Sequence, residues 1–440
     1  MGVIQEKING YKTWFDQWGA HFFFFFVLFV DNAAYFMLQP AFGIVLKERL
    51  TPTNFQLGAF NSSFGISMAV AQLYYGYLGD VFGRGPVLCF SLFCGATSWF
   101  FIAWARNPFE MILARAFQGA TTGTYSLLNT IILEMTPEEL KTEANAYVST
   151  TTAMAISVGP AIGGVMIGTL GFDVTCYTAA VLMYCAVLTA SAKWCYNMPA
   201  ILKRQPTQKE GQIEKENPAV LTFRVFKRNP LLLVNVLALF VNVGGVSSGS
   251  VFFPLACHLI NGMDALQYGI CVGVATGLVV YFSLTMFFIN MAQTKGLAGA
   301  FRISQFIKGS SFLIFCIQIF NPKWHHWVFP FATLFFWLAA EFAGGALMNT
   351  LIVENADPDA KGTLMGVFWF VRQTSEFFWP MVTGQLTEID LFQRSDEAKQ
   401  NGMYFMNVWN GFLTIISTAM VCQTRKLTWT ETAKEELLGN

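Results

Sequence analysis

Residues 127–164 read LLNTIILEMTPEELKTEANAYVSTTTAMAISVGPAIGG, and residues 347–384 read LMNTLIVENADPDAKGTLMGVFWFVRQTSEFFWPMVTG. Asn129, Thr130 and Glu134 return 220 positions later as Asn349, Thr350 and Glu354. Pro160 and Gly164 return at the same offset as Pro380 and Gly384, and Pro137 is matched one residue late by Pro358. The chain has 440 residues, so the offset is half its length. A period this long does not describe a solenoid of small units; it predicts two related halves from one duplicated half-molecule.

The composition fixes the solvent. Hydrophobic residues make up 54% of the chain, charged residues only 12%, and Phe alone contributes 45. A soluble globular chain carries about 25% charged residues, so this one lacks the polar groups to face water and is expected in lipid. Lys plus Arg and Asp plus Glu are both 27, and that neutrality gives no footing for nucleic acid. The nine cysteines lie almost wholly in apolar runs, as at Cys89, Cys94, Cys185 and Cys316, and form no CxxC pair. Buried free thiols are expected, and no metal or cofactor. The opening residues carry no signal-peptide pattern, and Glu6 spoils a myristoylation signal.

Outward from the repeat, twelve apolar segments reach the ~20 residues of a spanning helix. They are 20–46, 55–78, 86–105, 108–134, 143–168, 173–195, 230–260, 265–292, 296–320, 327–353, 362–387 and 402–422. Lipid cannot satisfy a bare backbone, so all are predicted helical. The expected fold is an all-α membrane protein of twelve transmembrane helices in two pseudo-symmetric six-helix halves. Residues 1–195 form the first half, 196–229 a basic linker, 230–422 the second half and 423–440 a tail. Of the 27 Lys and Arg, six (Lys47, Arg49, Arg106, Lys323, Arg394, Lys399) fall in loops on one side and four (Arg115, Arg302, Lys308, Arg372) within spans. The other 17 share the side of the termini and linker, which places that side in the cytoplasm, of the plasma membrane or of an organelle.

Between the second and third segments the chain reads Gly76-Tyr77-Leu78-Gly79-Asp80-Val81-Phe82-Gly83-Arg84-Gly85-Pro86. This resembles the signature loop of the major facilitator superfamily, G-x-L-x-D-x-x-G-R-[RK], with Gly85 where a second basic residue is usual. Gly76, Asp80, Gly83 and Arg84 carry the resemblance together with Leu78. It implies a cytoplasmic latch that opens and closes with alternating access. The counterpart in the second half, near Asn290–Gly296, is almost unrecognisable. Arg115-Ala116-Phe117-Gln118-Gly119 looks like the family's R-x-x-Q-G signature. Gly159-Pro160-Ala161-Ile162-Gly163-Gly164 is similar to the GPxxGG signature of twelve-helix drug:proton antiporters, with Ala155 replacing its upstream glycine. Proline kinks a helix and glycines admit a close neighbour. The resemblance implies a seal against leak at this motif, and plain helix packing is the alternative.

An ionisable group at mid-bilayer costs roughly 2.5–3.5 kcal/mol on insertion scales, so each is a candidate for function. Asp31 and Asn32 sit about halfway along the first segment, with Pro40 beyond them. That arrangement resembles helix 1 of the vesicular amine transporters, which implies an acid that recognises a cationic amine. Arg115 is the expected partner of Asp31, either as a responsive group or in a permanent ion pair. Arg372 and Glu376 are four apart and share a helix face. Glu341 has no partner on its own helix and is the better substrate or proton candidate; a pairing with Lys308 is the alternative. Glu376 lies closer to Pro380 than the corresponding acid of the amine transporters does to its proline.

These residues predict proton-coupled antiport, outward, of a small amphipathic or cationic solute by a monomer in the bilayer. The alternative is a facilitator or proton symporter for a nutrient or organic anion, with Arg115 and Arg372 binding it and Asp31 carrying the proton. A transporter-like receptor that no longer translocates is the third reading. No catalytic constellation or phosphate loop appears, so no enzyme is expected.

Overall fold

The computed structural model describes residues 2–39, 42–137, 140–197, 226–227, 230–282, 284–320, 327–354, 361–389, 392 and 395–421. The chain order is α1 (Gly2–Leu38), α2 (Phe42–Leu50), α3 (Asn54–Phe82), α4 (Arg84–Trp104), α5 (Pro108–Thr121), α6 (Thr124–Met135), α7 (Lys141–Leu170) and α8 (Phe172–Asn197). It continues with α9 (Pro230–Asn261), α10 (Ala265–Tyr281), α11 (Leu284–Cys316), α12 (Val328–Glu354), α13 (Lys361–Thr387) and α14 (Asp396–Met420). No strand occurs among the described residues. Most of the linker expected at 196–229, the tail expected at 423–440, and Pro358 lie outside the described residues.

These helices account for the twelve expected spans. The first is covered by α1, which ends at Leu38, and α2, which starts at Phe42; the fourth is interrupted at Thr122–Gly123, giving α5 and α6. The eighth runs through α10 into the start of α11, which bends at Gly296 and continues as the ninth. Among the described residues, six helices are long and apolar enough to cross a membrane by themselves, and two shorter ones, Ala265–Tyr281 and Val328–Gly344, are also apolar. Local signals set several starts. Thr53 and Gln56 form a reciprocal capping box at α3. Asn107 caps α5 with Pro108 in its first turn, and Ser395 caps α14. Each satisfies amides that a helix start leaves bare.

The chain divides into two compact units, Met1–Gln208 with Met263–Gly277, and Lys209–Gly262 with Leu278–Asn440. In the first, α1 packs on α7 and α8, α3 on α5, and α4 on α8. Its core gathers Trp18, Phe25, Leu28, Leu92, Leu128 and Ile131. In the second, α9 packs on α13 and α14, and α11 on α12 and α14. Its core gathers Leu239, Phe301, Ala343, Met348 and Phe368. First-to-fifth and first-to-sixth span contacts thus recur in both halves, as a duplicated sequence requires. Large rings such as Phe22, Phe26, Phe90 and Phe101 point outward, where lipid replaces water as their solvent.

Both halves turn on one glycine. Gly83 has φ 87° and ψ 140°, and Gly296 has φ 74° and ψ 162°. A side chain is strained in this region, so glycine is the residue that fits. The second half has lost the signature's charges and kept its backbone bend.

Candidate functional site

Asp31 and Tyr35 on α1 and Gln39, just past its end, are spaced four apart and share one face. Tyr35 and Gln39 are held by Arg115 of α5. Its Nη2 donates to the Tyr35 hydroxyl at 3.1 Å and to Gln39 Oε1 at 2.7 Å, and its Nη1 donates to Gln118. The guanidinium is fully buried among four rings. Its Cζ lies 4.3 Å from the centroid of Phe64, 4.9 Å from Phe42, and 5.2 Å from both Tyr35 and Phe60. The expected Asp31–Arg115 pair is therefore corrected: Arg115 sits level with the residues one and two turns beyond Asp31. A planar guanidinium gains from stacked rings and in-plane acceptors at once, and this cage supplies both without a carboxylate. Asp31 is half-buried, with no hydrogen bond or ion pair among the described residues. Asn32 commits its amide to the Leu28 carbonyl, at 2.8 Å.

The α7 motif presents two faces. Gly159 and Gly163 lie on α1: a Cβ at Gly163 would stand 1.8 Å from the Met37 carbonyl oxygen, and one at Gly159 would stand 2.9 Å from that of Ala33. Pro160 and Gly164 lie on α10, within the same unit. There a Cβ at Gly164 would stand 2.9 Å from Gly269 Cα, and one at Gly269 would stand 2.6 Å from the Pro160 carbonyl oxygen. The motif thus brings α1, the helix of Asp31, to backbone contact with α7.

At the signature loop, Arg84 Nη2 meets Glu134 Oε1 at 3.0 Å, joining the start of α4 to the end of α6. Glu134 belongs to the duplicated stretch of residues 127–164. Gly76 and Asp80 lie in α3; the side chain of Asp80 is outside the described residues.

In the second unit, Lys308 Nζ of α11 donates to Glu341 Oε2 of α12 and to Asn242 Oδ1 of α9, both at 3.0 Å. Glu341 is thus paired with Lys308, the alternative that the sequence left open: Lys308 is fully buried, and a buried ammonium is stable only with a counter-charge. Asn242 in turn donates to Gln305 Oε1 at 2.9 Å and Ser417 Oγ at 3.0 Å. On α13, Arg372 Nε donates to Glu376 Oε1 at 3.2 Å, as their spacing predicts.

The family profile of the Major Facilitator Superfamily matches residues 24–380. The chain belongs to the major facilitator superfamily. Among curated relatives, it is 23% identical to the inner membrane transport protein YajR of Escherichia coli, over 73% of this chain and 66% of that protein. It spans about two thirds of that relative's length. It is 27% identical to the multidrug resistance protein MdtG of Proteus mirabilis, over 42% of this chain and 44% of that one. A crystal structure of the nucleoside transporter NupG shares the fold, with a TM-score of 0.70 and 15% identity, covering 91% of this chain and 98% of that one.

As a major facilitator protein, the molecule is a multi-pass membrane transporter of small molecules rather than an enzyme. Two features of its site escaped sequence reading. Gly269, Gly273 and Gly277 repeat at intervals of four on α10, and that spacing was available as a small-residue stripe. The break between α5 and α6 left no such mark. There Ser91 Oγ donates to the Thr121 carbonyl at 2.7 Å and accepts from the Gly123 amide at 3.1 Å, and Tyr75 adds a bond to the same carbonyl at 3.2 Å.

Proposed function

We propose that this transporter exchanges protons for a small amphipathic or cationic organic solute, exporting the solute from the cytosol. The observation that carries the reading is Asp31, a half-buried carboxylate on the first span with no partner among the described residues. A lone carboxylate in a membrane interior is costly and is relieved by one proton or one cation. Two ligands that neutralise the same oxygens exclude each other, and mutual exclusion at one site is the thermodynamic basis of exchange. The glycine contact between α1 and α7 fixes this carboxylate to the helix of the antiporter-like motif. Access would alternate by motion of the halves 1–195 and 230–422 about a site near the membrane midplane. The likeness to MdtG, a multidrug resistance protein, is in keeping with solute efflux. The termini and linker lie in the cytoplasm on this reading, and the working unit is a monomer.

A second reading has its own support. Arg115 is a buried cation whose described partners are all neutral, a setting that favours an anionic or polar nutrient carried by facilitation or proton symport. The NupG likeness is in keeping with it.

Purified protein in liposomes holding a pH-sensitive dye separates the two. Under an imposed proton gradient, an organic cation should drive sustained proton transport across the membrane in wild type and none in Asp31→Asn. Coupled transport that survives Asp31→Asn would remove the first reading, and proton movement with anions or nucleosides alone would establish the second.

A further inference from the structure

We infer that Lys308 and Glu341 form a second exchange site, at which the ammonium group of a solute takes the carboxylate and Lys308 gives up its proton. This rests on the reading of the solute as a cation. Glu341 stands ~20 Å along α12 from Val328, within a hydrocarbon layer of about 30 Å.

The pair is built with a sealed back and an accessible front. Lys308 is 0% exposed and Glu341 is 20% exposed. Glu341 uses Oε2 for Lys308, and its Oε1 has no partner among the described residues. An arriving ammonium meets the carboxylate first.

Lys308 also has somewhere to remain. Both described bonds of the Asn242 amide nitrogen, to Gln305 and Ser417, turn its Oδ1 toward Lys308 Nζ. When the carboxylate is claimed by a solute, this oxygen keeps the Lys308 head group in place. Asn242 is neutral, however, and an ammonium stripped of its counter-ion in a dry interior costs several kcal/mol. The neutral amine is the stable form there. One Nζ–H bond breaks, its electron pair stays on nitrogen, and the proton passes to water.

Charge is conserved in the exchange. Among the described residues, the charged groups near the pair are Arg372 and Glu376 of α13, which are already bonded to each other; the described bonds from α9 and α14 come from neutral Asn242 and Ser417. Lys308, Glu341, Arg372 and Glu376 sum to zero before the solute arrives. They sum to zero with it bound, because one positive charge enters as one leaves. The resident occupant is a compact ammonium with several N–H donors, so the site takes primary and secondary amines over quaternary ones.

The test uses the full chain in detergent with the Asp31→Asn substitution, so that any exchange at Asp31 is absent. Phenethylamine hydrochloride is added in weak buffer with a pH indicator, and bound amine is measured in parallel. Expected is release of protons in proportion to amine bound, and none with the trimethylated analogue. Lys308→Met should abolish the release. If that variant does not fold, Lys308→Arg serves, since a guanidinium keeps its proton and should abolish release as well. Release that persists in either variant, or no release with Lys308 intact, overturns the inference. Unimpaired coupled transport by Asp31→Asn would instead count against the Asp31 reading alone.

Discussion

Arg84 and Glu134 are partners across the end of the first unit: the residue after the bend glycine of the signature loop holds the acid that closes α6, 3.0 Å apart. The pair is partly exposed, with side chains 22% and 40% accessible, so it contributes at most about 1 kcal/mol to stability. Glu134→Gln should therefore barely move the melting temperature while lowering the transport rate. The exchange of both residues, Arg84→Glu with Glu134→Arg, should recover part of that rate. Initial rates in liposomes beside thermal melting would check this, and a large loss of stability with no loss of rate would contradict it.

Arg115 makes a different prediction, because its surroundings recognise a shape as well as a charge. Lys keeps the charge but has neither the planar face for four rings nor the fork for Tyr35, Gln39 and Gln118. Arg115→Lys should be nearly as destabilising as Arg115→Met, each by about 2–4 kcal/mol from lost stacking and unsatisfied buried acceptors. Thermal unfolding of the purified variants measures it. A well-folded Arg115→Lys beside an unfolded Arg115→Met would show that charge alone matters.

Gly163→Ala should abolish a folded product. Its Cβ would sit 1.8 Å from a backbone oxygen, and no side-chain rotation relieves a clash with backbone. Gly277→Ala, whose Cβ would meet only the Ser157 hydroxyl at 3.3 Å, should be tolerated. The yield of monodisperse protein on size exclusion decides between them.

Ser91→Ala should weaken the interruption of the fourth span. The hydroxyl serves both the Thr121 carbonyl and the Gly123 amide. Tyr75 still bonds the carbonyl, so the expected loss is about 1–2 kcal/mol rather than the sum for two abandoned groups. Ser91→Thr, which keeps the hydroxyl, should recover most of it, as read by melting temperature.

The spans were legible because length and apolarity are imposed by the bilayer, whatever the neighbours. Arg372 with Glu376 was legible because four residues make one helical turn. Other features depend on groups distant in the chain. The backbone at Thr122–Gly123 is satisfied by Ser91 and Tyr75 of other helices, so nothing local announces a break. Arg115 was given an acid as partner because charge is the feature a sequence displays; the rings that hold it come from three other helices and read as ordinary core. Lys308 and Glu341 were readable only as an alternative, since nothing in either segment fixes how the two helices face each other.

The seam between α1 and α7 divides evolutionary freedom unequally. On α7 the contact is made by missing side chains, at Gly159 and Gly163. On α1 it is made by backbone atoms of Ala33 and Met37 and by the Cβ of Phe36, which every residue type but glycine possesses. Substitutions can therefore accumulate along that part of α1, around Asp31, without disturbing the distance between the two helices. That part of α1 can diversify while the glycines hold the frame constant, so the two helices keep one spacing through changes on that side of the seam.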